Sequence, residues 1–193
     1  QGQTAVGFLM ATFGKLASSS RAALKSALQR RLDVLQGAQD AVEAGDDQTS
    51  EEDAAGAVGG AMKKGKKAKQ SLIGGEAKLV KGLLTRLELL PKRDSKLEGF
   101  SRGLAKLVRA ASDIKLLIFT EYRATQNVLA DTLADLFGKT SVETIHGSKS
   151  MDERKQIVAK FNEQEEPRFL VSTAAGGEGL NLQRRCHTIV NYD

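Results

Sequence analysis

Between residues 115 and 193, apolar runs of strand length alternate with helical periods, and this alternation limits what the chain can fold into. Lys115 opens Leu116-Leu117-Ile118-Phe119, a continuous apolar run of buried-strand type. Val128, Leu129, Leu133, Leu136 and Phe137 then recur at helical spacing, and Gly138 stands where a C-terminal cap belongs. A short strand over 142–146 follows. Ser150 and Glu153 form a capping box ahead of a helix with Ile157, Val158 and Phe161 inside. Pro167 precedes a strand at 169–172, a glycine-rich turn comes next, and a last strand covers 188–192. Such alternation predicts an α/β fold, with right-handed crossovers and a parallel sheet carrying helices on both faces. Ligands of such sheets collect at the carboxyl ends of the strands. Here those ends are Thr120-Glu121-Tyr122, His146-Gly147, Thr173 onward and Asp193.

The upstream half has a different texture. Phe13, Leu16, Ala17, Leu24, Leu28, Leu32 and Leu35 mark a helical stretch over 12–36, and Ser18-Ser19-Ser20 is placed to cap a second helix from Arg21. Residues 37–75 lose this period: an acidic block (Glu43 to Asp53) is followed by a glycine-alanine patch and a basic block (Lys63 to Lys69). With so few large apolar residues, burial there cannot offset the entropy of ordering, so a charged linker is expected. Its basic block could touch phosphates, although a solvated tail balanced by the acidic block is the plainer reading. Helical spacing returns over 76–90 and stops at Pro91; Asp94 can then cap a helix whose apolar face is Leu97, Phe100, Leu104, Leu107 and Val108.

Charge and composition exclude several classes. The chain has 193 residues, 40% hydrophobic and 27% charged, the balance of a globular protein. No run approaches the roughly 20 apolar residues of a membrane span, so no membrane partner is expected. The first residues lack a basic secretory region and an initiator Met, as in a piece of a longer chain. One cysteine, Cys186, leaves no internal disulfide framework and suits a reducing, cytoplasmic setting (nucleoid-associated in a prokaryote). The net charge of +5 is spread evenly and permits a nucleic-acid partner without arguing for one.

Gly138-Lys139-Thr140 imitates the end of a phosphate loop, but the first glycine of that motif would fall on Leu133, and the tripeptide follows a helix instead of a strand. The segment Ser172-Thr-Ala-Ala-Gly-Gly-Glu-Gly-Leu-Asn-Leu-Gln183 is the stronger signal: glycines directly after a buried strand let backbone amides approach a phosphate or ribose. Tight packing explains the same glycines equally well. His146 and His187 have no partner at metal spacing, so no metal site is expected, and a structural role is the plainer reading of His146. Cys186 reads as a buried structural thiol.

Taken jointly and in order, four segments resemble the second lobe of superfamily-two helicases. Leu116 to Thr125 is similar to motif IV; Ile145-His-Gly-Ser with Asp152-Glu-Arg154 and Phe161 resembles the motif after it; Ser172 to Gln183 looks like motif V; and His187 to Asp193 is similar to the strand beyond. The variant is closest to Swi/Snf-type and RapA-like translocases. Leu16 to Leu24 and Asp94 to Leu97 resemble the helical connection between the two motor lobes. The resemblance implies a RecA-like lobe over 114–193, a connector over 1–36, a linker over 37–75 and leading helices over 76–113. It also implies an ATP-dependent motor on nucleic acid, double-stranded DNA being the expected form. Thr120, Gly147, Arg154, Thr173 and Ala174 match phosphate-contacting positions, and Gly177, Glu178, Gly179 and Asn181 match nucleotide-facing ones.

No catalytic residue is expected within this stretch. The implied ATP and Mg need a first lobe with its phosphate loop and acidic pair, and the arginine-bearing motif would follow Asp193. The chain alone is therefore expected not to hydrolyse ATP. Its implied partners are nucleic acid, the first motor lobe and further subunits of a complex. Two other readings stay open: a non-enzymatic scaffold or DNA-docking lobe, and a small nucleotide-binding α/β domain that uses the 176–179 turn.

Overall fold

The computed structural model describes residues 2–35, 73–91, 94–177 and 181–193; the expected linker lies largely outside these. The chain divides into two units at Leu90 and Pro91, each considered by itself. No helix among the described residues is long and apolar enough to cross a membrane.

The first unit contains α1 (Gly2–Ser19), α2 (Arg21–Leu35) and α3 (Ile73–Leu89). Ser20 separates the first two, and its hydroxyl accepts from the Ala23 amide at 3.0 Å, the cap expected from the serine triplet. Leu28 and Leu32 of α2 meet Val80 and Leu84 of α3, two i, i+4 pairs that bury one stripe from each helix. Thus α3 belongs with the upstream helices, and the next helix belongs with the sheet.

The second unit is the α/β part: α4 (Ser95–Ala110), β1 (Leu116–Thr120), α5 (Arg123–Phe137), β2 (Val142–Ile145), α6 (Met151–Glu163), β3 (Phe169–Thr173), α7 (Ala174–Gly177) and β4 (Thr188–Asn191). The Asp94 side chain accepts from the Lys96 and Leu97 amides and starts α4. Gly138, at φ 98°, ends α5 in a backbone region that side chains avoid. Gly138-Lys139-Thr140 therefore leaves a helix and enters a 3₁₀ turn, Lys139–Ser141, with none of the geometry of a phosphate loop. The capping box at Ser150 and Glu153 is complete in both directions.

The four strands are parallel in the order β2-β3-β1-β4. Alternate residues face opposite ways. Leu116, Ile118, Phe169 and Val171 form one core with Leu104 of α4 and Leu129 and Leu133 of α5. Leu117, Ile145 and Leu170 form the other with Ile157 and Phe161 of α6 and with Leu182. Helices thus cover both faces, and each fully buried large apolar side chain contributes about 1.5–3 kcal/mol. Leu136 was grouped with the core face by its spacing but is half exposed, because it lies three residues beyond Leu133 at the rim of the α5 stripe. On the edge strand β4 only Val190 joins a core; Ile189 is 65% exposed.

Candidate nucleic-acid interface

Three sequence-selected strand ends become neighbours through the sheet register. Thr120 of β1 is paired with Thr173 of β3, and Ile145 of β2 with Ser172 of β3. His146 therefore lies one residue past the row, beside Thr173. The amino termini of α5 and α6 begin just beyond β1 and β2. The uncapped first amides of α5 add partial positive charge to this edge, whereas the start of α6 is closed by its Ser150–Glu153 capping box.

The side chains show how the edge is built. The Thr120 hydroxyl donates to the Asp193 carboxylate (3.0 Å), which also accepts from the Glu121 amide, so the end of β4 is tied to the end of β1. Thr173 is fully enclosed, and the exposed residue at that strand end is Ala174. Arg154 donates from Nη2 to the Gly147 carbonyl (2.6 Å) and from Nε to the Lys149 carbonyl (3.0 Å). It thus holds the 147–149 turn from the first turn of α6, and the Lys149 amide closes the loop on the His146 carbonyl. Arg123, at the start of α5, donates from Nη1 to Ser148 Oγ (3.0 Å), and Ser148 Oγ lies 3.0 Å from His146 Nδ1. Partial burial, then the cations Arg123, Lys149 and Arg154, push the His146 imidazole down to about 4; Glu153 opposes them weakly. At neutral pH the ring is uncharged, in line with a structural role for it.

Several of these parts were not visible in the sequence. Arg123 and Ser148 lie within the quoted motif segments but were assigned no role, Lys149 lies outside them, and only the fold gathers all three around His146. Gln126 is another: its Nε2 donates to the Ile145 carbonyl (2.8 Å) and the Val171 carbonyl (2.9 Å), locking the first turn of α5 to the ends of β2 and β3. Its fixed place at i+3 from Arg123 could have suggested a shared helix face, but not a buried clamp.

The proposed nucleotide-facing set divides. Glu178 and Gly179 lie outside the described residues. Gly176 and Gly177 are used for packing. A Cβ on Gly176 would stand 2.5 Å from His146 Cα and 2.6 Å from the Ile145 carbonyl oxygen, and one on Gly177 would stand 2.5 Å from Cε1 of Phe119. The room a phosphate cradle would need at these two glycines is filled by the protein. The carbonyl of Asn181 accepts from Asn162 Nδ2 (2.9 Å) in the last turn of α6, at the opposite end of that helix from Ser150. Asn181 is therefore not brought to the carboxyl edge. The described residues do not by themselves form a nucleotide site. Cys186 is partly buried, its thiol pushed up by burial, with Sγ 3.4 Å from the Thr188 carbonyl oxygen, as suits a structural thiol.

Residues 100–193 match the family model of the helicase conserved C-terminal domain. This segment belongs to that family. The helicase C-terminal domain begins within α4 and includes the whole sheet. Its relatives include a Bacillus subtilis protein named as an ATP-dependent helicase/translocase, YwqA, 39% identical over 106 residues, or 55% of this chain and 11% of that protein. The DNA repair and recombination protein RAD54B of Gallus gallus is 35% identical over 100 residues, 51% of this chain and 11% of that protein. Both are of SNF2 type. The chain thus spans about a tenth of the length of these relatives. Among solved structures, the SWI2/SNF2 ATPase C-terminal domain of Sulfolobus solfataricus matches with a TM-score of 0.46 and 19% identity, over 65% of this chain and 58% of that one.

Proposed function

We propose that this chain supplies the second motor lobe of an ATP-dependent translocase of the Swi/Snf or RapA type, and that it grips the phosphate backbone of double-stranded DNA. The observation that supports this most is the convergence of the β1, β2 and β3 ends on one edge, where Arg123, Lys149 and Arg154 gather around His146. Phosphate contacts of this kind position a protein without reading sequence. The relatives named as a helicase/translocase and as a DNA repair protein support the same reading. ATP and Mg would be held by the complete protein. Cytoplasmic or nucleoid location follows from such a role.

The test uses the full-length protein. ATP turnover is measured with no nucleic acid, duplex DNA, single-stranded DNA and RNA. Duplex DNA is expected to stimulate most, and the stimulation should fall with salt at a logarithmic slope of about −0.9 per neutralised phosphate. Lys149→Met, which keeps the stem and removes the ammonium of this half-buried residue in the 147–149 turn, is expected to raise the DNA concentration for half-stimulation about tenfold, or roughly 1.4 kcal/mol. Turnover indifferent to every nucleic acid would overturn the reading and favour a non-enzymatic docking lobe.

A further inference from the structure

The loop after β2 contains a short hydrogen-bond relay that the phosphate-gripping role does not itself require. Arg123 Nη1 donates to Ser148 Oγ, which leaves the Ser148 hydroxyl proton to be donated to His146 Nδ1. A neutral imidazole accepts it. A protonated imidazole carries hydrogens on both ring nitrogens and must itself donate to Ser148 Oγ. That oxygen can accept from both Arg123 and His146, and its own proton is then released to point elsewhere. Protonation of His146 thus converts Ser148 from an internal donor into an outward one at the edge where Arg123 and Lys149 stand.

The charged groups facing His146 are Arg123 from α5, Lys149 from its own loop, and Arg154 and Glu153 from α6; α7 presents Gly176 to its backbone. The carboxylate of Glu153 is held by the amide and hydroxyl of Ser150 in the capping box. The cations that disfavour a charged imidazole would be partly neutralised by a phosphate oxyanion set among them. Partial burial, the larger reason for His146 to stay neutral, persists, but the repulsion from the cations weakens as the phosphate arrives, and the oxyanion itself favours the charged ring.

We propose that docking of a backbone phosphate at this corner is proton-linked, His146 taking up one proton as the phosphate binds while Ser148 turns its hydroxyl to the phosphate. This rests on the nucleic-acid reading above. A site that gains a proton on binding binds more tightly as pH falls. The linkage spans the interval from the pKa of the free ring, about 4, to that of the bound ring. If phosphate restores His146 to the ordinary 6.5, affinity at pH 5.5 exceeds that at pH 8 by about tenfold.

The test measures the affinity of the full-length protein and of His146→Gln for a short duplex at fixed ionic strength between pH 5.5 and 8, with ATP as a parallel ligand. An NMR titration of the His146 ring with and without each ligand accompanies it. The expected result is a duplex affinity that rises about tenfold on acidification in the parent and stays flat in His146→Gln, together with an upward shift of the ring pKa on adding duplex. Ser148→Ala should reduce the rise. Duplex binding with no ring shift, or an equal rise in His146→Gln, would overturn the proposal and leave the nucleic-acid reading standing. A shift driven by ATP alone would overturn the nucleic-acid source. Absence of duplex binding at every pH would overturn both.

Discussion

Replacing Gly176 by alanine is expected to lower the melting temperature of the helicase C-terminal domain by on the order of 10 °C and to weaken its hold on nucleic acid. The added Cβ would meet the Cα and amide nitrogen of His146 and the carbonyl oxygen of Ile145, all within 2.6 Å. These are backbone atoms at the end of the edge strand β2, where it is paired with β3, and they cannot swing aside as the tip of a side chain can. Either α7 lifts from the sheet or the 146–149 loop moves, and such overpacking costs about 1–3 kcal/mol. For a unit of this size each kcal/mol shifts melting by roughly 4–8 °C. Since Gly176 lies between Thr173 and the His146 loop, the displacement reaches both parts of the candidate interface. Gly99→Ala and Gly103→Ala provide the contrast. Both glycines lie inside α4 with nothing within 4 Å of the added atom, so alanine there should be neutral or stabilising by up to about 1 kcal/mol. Calorimetry on the three variants checks the ordering. A Gly176→Ala protein as stable as the parent would remove the packing account of this turn.

Lys115→Met is expected to cost about 3–5 kcal/mol, a large share of the roughly 5–15 kcal/mol that holds an ordinary domain together. Lys115 is only 4% exposed. Its ammonium donates to the Phe161 (2.5 Å), Gln164 (2.6 Å) and Pro167 (3.0 Å) carbonyls and lies over the Phe161 ring. These three acceptors close the C-terminal end of α6 and the turn into β3, so one side chain ties helix, turn and strand together. Methionine fills the channel of the lysine stem but supplies no donor, and each orphaned buried carbonyl costs about 1–3 kcal/mol. The loss also frees α6, whose other end holds Arg154 against the 147–149 loop, so interface geometry should loosen along with the fold. Urea unfolding of the two proteins measures the difference. A methionine variant within 1 kcal/mol of the parent would show that water or a rearranged backbone satisfies those carbonyls equally well.

These two residues mark the limit of what was legible in the sequence. Lys115 opens an apolar run, and nothing local distinguishes it from a lysine left in solvent at a strand end. Gly176 stands in a cluster of three glycines that the sequence allowed to be either a phosphate cradle or a packing device. For Gly176 and Gly177 the structure shows packing, because the carbonyl end of β2 and the ring of Phe119 occupy the space. The same holds for Thr120, whose hydroxyl is engaged by Asp193, a residue 73 positions away in the chain.

What the sequence determined by itself was everything governed by local period and local hydrogen bonding. Apolar runs and helical spacings placed all four strands and the helices α5 and α6, but not the short α7, where a glycine-rich turn was expected. Ser20, Asp94 and the Ser150-Glu153 box marked helix starts, since a cap bonds amides only two or three residues away. The joint order of four motifs was enough to indicate a helicase C-terminal lobe. Only the tertiary structure decided which strands are neighbours, that α3 joins the upstream helices while α4 joins the sheet, and that Arg123, His146, Ser148, Lys149 and Arg154 form one charged corner. Those facts depend on strand order and register, which bring together residues tens of positions apart, and no local pattern records that proximity.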